Sequence, residues 1–414
     1  MNNSISARPM RRSRGFTIVE LLVSTALIAM IMLLLLSTVD STNKVWQRTT
    51  AKATQFQAAR NAFESMTRRL SQATLNTYWR IYDAQASNFT AEYSFRRHSE
   101  LQFLSGPSAK IFTSPAIPNL NPDPVGAYPT HAVFFQAPIG YTERQDTGAA
   151  SSLREYRSLD RMLMGCGYFL EFGDDPDRPE FLRDIGFPPR FRSRLMELSV
   201  PAERLTIFER PLVGAVKDIP SNINPIVVDE NNAAYVGMVG ATRRANSAWV
   251  RPAWLKEALT RRSGTRGVSR FSYARTMADN VVAMIILPKL ATKDRGSNPD
   301  RLDLAPDFEY DSWRILREDR EIGPANATRD NLLPPIVQVT LVAIDEASAV
   351  RLEADAENPP TWTEGLFKTV RDEPHFLEQM SELETRLKQD PRKMTYRIFS
   401  TDVVIRGSKW SKED

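Results

Sequence analysis

The sequence predicts an α+β protein in which one long amino-terminal helix precedes a head of mainly antiparallel β-sheet with long loops. Three patterns in the 414 residues carry that expectation. Residues 16–39 form a 24-residue run with a single ionisable side chain, Glu20. No proline or glycine occurs from Phe16 to Tyr78, and an apolar stripe at helical spacing marks the second part of that stretch. Farther on, runs rich in β-branched and aromatic residues alternate with proline- and glycine-bearing connections.

In chain order, the first segment is a basic leader, residues 1–15, with Arg8, Arg11, Arg12 and Arg14 and no acidic residue. The next, residues 16–39, spans about 36 Å as a helix at ~1.5 Å per residue, enough to cross a hydrocarbon core of roughly 30 Å. The arginine bias places the leader in the cytoplasm and the rest of the chain outside, as a single-pass inner-membrane protein with an extracytoplasmic head. The apolar run is longer than the core of a secretory signal, and no A-x-A pattern follows it at Leu36-Ser37-Thr38-Val39, so it is expected to be retained. Glu20 stands out because a carboxylate at membrane depth costs on the order of 2.5–3.5 kcal/mol and marks a functional site by default.

Residues 40–78 continue the helix as an amphipathic segment. Phe56, Ala59, Phe63, Met66, Leu70 and Ala73 recur every three or four positions, with Arg60, Glu64, Arg68, Arg69 and Gln72 between them. The stripe fits packing on the protein's own sheet, the alternative being a coiled-coil partner, and the helix is expected to end near Tyr78. Residues 79–414 form the head. Its predicted strands are 101–105, 131–137, 166–172, 194–200, 280–287, 336–344 and 396–406. Its predicted helices are 202–210, 253–262 and 375–389. Strand 336–344 alternates Val337, Val339, Leu341 and Ala343 with Gln338, Thr340 and Val342, the pattern of a half-buried strand. Segments 114–129, 173–189 and 289–335 read as long loops, and 210–248 as a place where the head divides if it has two lobes.

Composition limits the chemistry. The chain has 54 basic and 50 acidic residues, and removing the four leader arginines balances the two, so no surplus points to a nucleic-acid partner and none is expected. One cysteine, Cys166, allows no internal disulfide, and His98, His131 and His375 lie far apart without zinc-ligand spacing. There is no G-x-S-x-G elbow, P-loop or dinucleotide-binding glycine pattern, although a glycosidase-type carboxylate pair would leave no such motif. The acidic run Gly173-Asp174-Asp175-Pro176-Asp177-Arg178 could offer oxygen ligands to calcium. It lacks the EF-hand spacing, and Arg178 opposes an ion, so a solvated turn is the plainer reading. No cofactor, metal or catalytic residue is assigned.

The junction Arg14-Gly15-Phe16-Thr17-Ile18-Val19-Glu20 resembles the processing segment of type IV prepilins and of the pseudopilins of type II secretion. That resemblance implies a pilin-like fold and cleavage after Gly15 by a prepilin peptidase that also methylates Phe16. Glu20 then becomes the fifth mature residue, the one that pairs with a neighbouring subunit's amino terminus during filament assembly. The partners implied are the prepilin peptidase, other pilin or pseudopilin subunits and an inner-membrane assembly platform. A plain signal-anchor with a glutamate near the interface is the competing reading. The bulk of the head suggests a minor subunit at or near a filament tip. The stretch 62–73 resembles the J-type minor pseudopilins. Arg194-Leu195-Met196-Glu197 before a proline and the closing Tyr396-Arg397-Ile398-Phe399 resemble the large prepilin-like proteins of the Verru_Chthon cassette, the C-type member in particular. Two other function classes remain open: a filament-displayed adhesin or substrate-recognition module, and a membrane-anchored exported enzyme.

Overall fold

A computed structural model describes residues 17–82, 94–112, 129–140, 162–174, 180–187, 190–205, 253–258, 261–263, 269–271, 273–295, 300–312, 331–353 and 361–409. The chain divides into two compact units, Met1–Thr54 and Gln55–Asp414. The first holds the amino-terminal part of helix α1 (Ile18–Leu70). Within it Ile18–Gln47 is long and apolar enough to cross a membrane, and its side chains are exposed in the isolated chain.

The second unit opens with the last turns of α1, whose stripe is read correctly from the sequence: Ala59, Phe63, Met66 and Leu70 are buried, while Arg60, Glu64 and Arg68 are exposed. The helix stops at Leu70, short of the expected Tyr78. There the backbone finds better partners than another helical turn. Thr74 N–H donates to the Gln136 carbonyl, and Asn76 Oδ1 accepts from Ser99 Oγ and from the amides of Glu100 and Leu101.

Two strands, β1 (Tyr78–Tyr82) and β2 (Ser94–His98), form a separate antiparallel ribbon. β3 (Leu104–Pro107), α2 (Ser108–Phe112), β4 (His131–Pro138), β5 (Leu163–Asp174), α3 (Glu180–Asp184) and β6 (Phe191–Val200) follow. After a 3-10 turn come α4 (Ala253–Ala258), the short hairpin β7 (Arg261–Ser263) and β8 (Ser269–Phe271), then β9 (Ala274–Asp279) and β10 (Val281–Lys289). β11 (Tyr310–Asp311), β12 (Ile336–Ile344), α5 (Glu346–Glu353), α6 (Glu373–Gln389) and β13 (Tyr396–Val404) complete the described elements.

Six strands form one antiparallel sheet in the order β11-β3-β4-β5-β6-β9, and three form another in the order β10-β12-β13. Asn280 joins β9 to β10 with φ of 59°, a left-handed conformation that asparagine tolerates, so consecutive strands enter different sheets. One core packs the end of α1 (Phe63, Met66, Leu70) with Val133, Phe135, Tyr168 and Leu195 of the larger sheet and Val337, Val339 and Leu341 of the smaller. A second lies on the other face of the larger sheet, around Phe134, Phe169, Leu198 and Trp254. The third covers the other face of the smaller sheet with α5, α6 and residues 361–370.

Several sequence expectations shift. β12 is buried on both faces along most of its length because helices cover the side holding Val342 and Ile344. β3 begins at Leu104 because the amides of Leu101, Gln102 and Phe103 are taken by the side chains of Asn76, Gln136 and Ser312. The helix expected over 202–210 is a 3-10 turn over Ala202–Arg204, with 206–210 outside the described residues. That expected over 253–262 ends at Ala258, and Arg261–Ser263 is a strand. α6 starts at Glu373 rather than 375, since Asp372 caps it by accepting from His375 N–H at 2.9 Å and Pro374 fits a first turn. The segment 289–335 carries β11, and 173–189 carries α3. The candidate lobe boundary at 210–248 lies outside the described residues.

Candidate functional site at the amino terminus

Of the three residues singled out from the sequence, Gly15 and Phe16 lie outside the described residues, and Glu20 stands in the first turn of α1. Thr17 and Glu20 cap that turn reciprocally. Glu20 N–H donates to Thr17 Oγ1, while the amide and hydroxyl of Thr17 both donate to Glu20 Oε2, each at 3.2 Å. This is the Ser/Thr-x-x-Glu capping box, in which two amides that lack helical partners are satisfied by side chains. A carboxylate there also meets the positive end of the helix dipole. The sequence reading overlooked Thr17, although the spacing of Thr17 and Glu20 is itself the signal.

Other polar side chains in the apolar run turn back on the helix. Ser24 Oγ donates to the Glu20 carbonyl at 2.7 Å, Thr25 Oγ1 to Leu21 at 3.0 Å and Thr38 Oγ1 to Leu34 at 2.8 Å. Each hydroxyl therefore brings its own acceptor, the condition for placing it in hydrocarbon. Past the apolar stretch, Lys44 and Asp40 form an exposed pair at 2.6 Å, one helical turn apart.

The head contains buried polar groups of a different kind. Glu197 on β6 points to the α1 side of the larger sheet and is almost wholly buried, where it pairs with Arg69 of α1 and Arg275 of β9 and accepts from Tyr168 Oη at 3.2 Å. Cys166 beside it is a buried thiol, pushed by burial up to about 12. Such a thiol stays protonated and packs as a small hydrophobe.

His131 opens β4 and is buried in the interior. Its Nδ1 accepts from Ile286 N–H of β10 and its Nε2 faces the Phe367 carbonyl, both at 3.1 Å. Burial lowers its pKa to about 4, so the ring is neutral with the proton on Nε2. Thr130 Oγ1 accepts from Met284 N–H at 3.0 Å, so two adjacent side chains cap amides on the edge strand β10. His375 and His98 stand on other elements, and among the described residues no group of three His, Cys, Asp or Glu side chains is placed to hold a metal ion. In the acidic run, Gly173 and Asp174 end β5 and residues 175–178 lie outside the described residues.

Comparison with known proteins gives one finding. Residues 10–36 match the family model described as the prokaryotic N-terminal methylation motif. The matched segment contains the leader arginines from Arg11 onward, Gly15, Phe16, the Thr17–Glu20 cap and most of the apolar run. No curated protein and no solved structure matches the chain.

Proposed function

From the prokaryotic N-terminal methylation motif that this chain carries at residues 10–36, we propose that it is a minor pilin-like or pseudopilin-like subunit of an extracytoplasmic filament. The leader 1–15 is removed after Gly15 by a prepilin peptidase, Phe16 is methylated, and the chain waits in the inner membrane with its head outside. Residues 16–39 then leave the bilayer for the filament, where the helices of neighbouring subunits replace lipid.

The observation that carries this reading is the coincidence of the motif with a carboxylate at the first turn of an otherwise apolar membrane-length helix. In the waiting subunit the cap with Thr17 supplies Glu20 with two donors, and the dipole supplies partial positive charge. Those donors lower the cost of holding the carboxylate near lipid but do not neutralise it. A neighbouring subunit's amino-terminal ammonium would, so Glu20 favours assembly over isolation. A head of roughly 340 residues is large to repeat at every subunit, which supports a minor subunit at or near the tip, with an inner-membrane assembly platform and other pilin-like subunits as partners.

The test is intact-mass and amino-terminal analysis of the full chain extracted from membranes after co-expression with a prepilin peptidase. A chain beginning at N-methylated Phe16 is the expected result. An uncut chain beginning at Met1 would overturn the reading and leave a signal-anchored protein.

A further inference from the structure

The smaller sheet treats its two edges differently. Along β10, Met284 N–H donates to Thr130 Oγ1 and Ile286 N–H to His131 Nδ1. Pro288, the next residue of the same alternation, has no N–H to expose. That edge is closed.

β13, the other edge, has no such cover. Ile405 N–H donates to the Pro335 carbonyl and Asp345 N–H to the Thr395 carbonyl, which fixes the alternation of the ladder. Odd-numbered residues of β13 bond to β12, so Tyr396, Ile398, Ser400, Asp402 and Val404 turn their N–H and C=O groups outward. Those outward groups have no partner among the described residues, and the open row ends at Arg406, whose N–H donates to the Ser71 carbonyl. The usual means of blunting an edge are missing too. β13 runs nine residues in unbroken register, without proline, lysine or bulge. Its two charges are turned to its own fold: Asp402 pairs with Lys289 at 2.9 Å, and the Arg397 guanidinium lies 5.6 Å from the Phe399 centroid.

We propose that β13 pairs with β13 of a second copy of this chain about a two-fold axis at Ser400, joining two three-stranded sheets into one of six strands. The edge is self-complementary in that register. Tyr396 stands opposite Val404, Phe399 opposite Thr401, and Ser400 opposite its own copy. These are the aromatic–β-branched and hydroxyl pairs that stabilise antiparallel strands. Arg397 meets Val403 and Asp402 meets Ile398, so no like charges face one another. Registers that set Asp402 on Asp402 or Arg397 on Arg397 are shorter and opposed by repulsion. Every outward N–H and C=O from Tyr396 to Val404 gains a partner, and the paired serines extend the contact of 2.7 Å that Ser400 already makes with Thr340. An isologous contact of this kind closes on itself, so it yields a dimer and not a fibre. The pairing is independent of processing at Gly15, so the two readings fail separately.

The experiment measures sedimentation of the detergent-solubilised full chain across the micromolar range, where a monomer–dimer equilibrium is expected. S400P removes the central outward donor at a position where an edge strand tolerates proline, and should weaken dimerisation about tenfold or more. S400K and S400E each set like charges on the two-fold axis and should weaken it as well, whereas an equimolar mixture of the two should restore it. S400C should form an intermolecular disulfide, which directly opposed Cα atoms about 5.5 Å apart permit, while R301C, at an exposed residue outside β13, should not. A monomer at every concentration, an association that S400P and S400K leave unchanged, an S400K and S400E mixture that stays monomeric, or no S400C cross-link would each overturn the assignment.

Discussion

Acidification should weaken the head through His131 by an amount the structure sets. The ring is fully buried, and its Nδ1 accepts the Ile286 amide, so a proton there would set two donors against each other. Its pKa falls from about 6.5 unfolded to about 4 folded. The sign follows directly: between those values the unfolded chain binds the extra proton and the folded one does not, so stability is lost as pH falls. The loss is about 2 kcal/mol between pH 7 and pH 5 and about 3 kcal/mol by pH 4, from ~1.4 kcal/mol per pKa unit. Carboxylates titrate nearby in pH, so the assay compares wild type with H131Q, which cannot take up that proton. Urea unfolding of the detergent-solubilised full chain, followed by near-ultraviolet circular dichroism, should give a pH dependence flatter by about 2 kcal/mol from pH 7 to 5 for H131Q. Phe367, held at φ of 54° by His131 and by Gln379 Oε1 accepting its amide at 2.6 Å, should show early hydrogen exchange as the acid transition begins. Parallel stability curves for the two proteins would refute the linkage.

Other perturbations test the remaining parts of the argument. E20A should leave cleavage after Gly15 largely intact while abolishing incorporation into filaments, read by intact mass and by sheared-filament immunoblot; normal incorporation would remove Glu20 from the assembly role. T17A should cost about 1 kcal/mol of helix stability at the first turn, visible as faster amide exchange at Glu20 and Leu21, and exchange unchanged from wild type would mean that the cap contributes nothing. G165A should destabilise the head by about 1–3 kcal/mol, because the added Cβ would sit 2.6 Å from Trp254 Cζ3, and G165A/W254L should recover part of that loss. R69M should cost roughly 1–3 kcal/mol, because Glu197 loses one charge-assisted hydrogen bond but keeps Arg275 and Tyr168, whereas R69M/E197L should cost less than R69M alone. A double variant worse than the single would indicate packing rather than charge.

What the sequence disclosed divides by the distance over which each signal acts. The stripe on α1, the run over β12 and the body of α6 are local patterns and stand where they were expected. The places where reading went astray are those where a distant group claims the backbone. α1 ends at Leu70 because distant strands claim the backbone just past it: Thr74 N–H donates to the Gln136 carbonyl, and the Ser71 carbonyl accepts from Arg406 N–H. β12 alternates in sequence like a half-buried strand, yet helices from a later segment cover its second face. The left-handed turn at Asn280, which sends β9 and β10 into different sheets, has only an asparagine to announce it.

The same division separates the two kinds of polar site. The methylation-motif segment was legible because its logic is local: a run of arginines, a membrane-length apolar run and a carboxylate lie within a single short stretch, and even the overlooked Thr17 sits three residues from Glu20. Glu197 was not legible, because a glutamate in an alternating strand looks like the solvent side of a sheet. Only the fold brings Arg69, 128 positions earlier, across it. A motif names chemistry when neighbours in sequence supply it, whereas a buried cluster such as Glu197 with Arg69 and Arg275 names it only after helix packing and strand pairing have brought its members together.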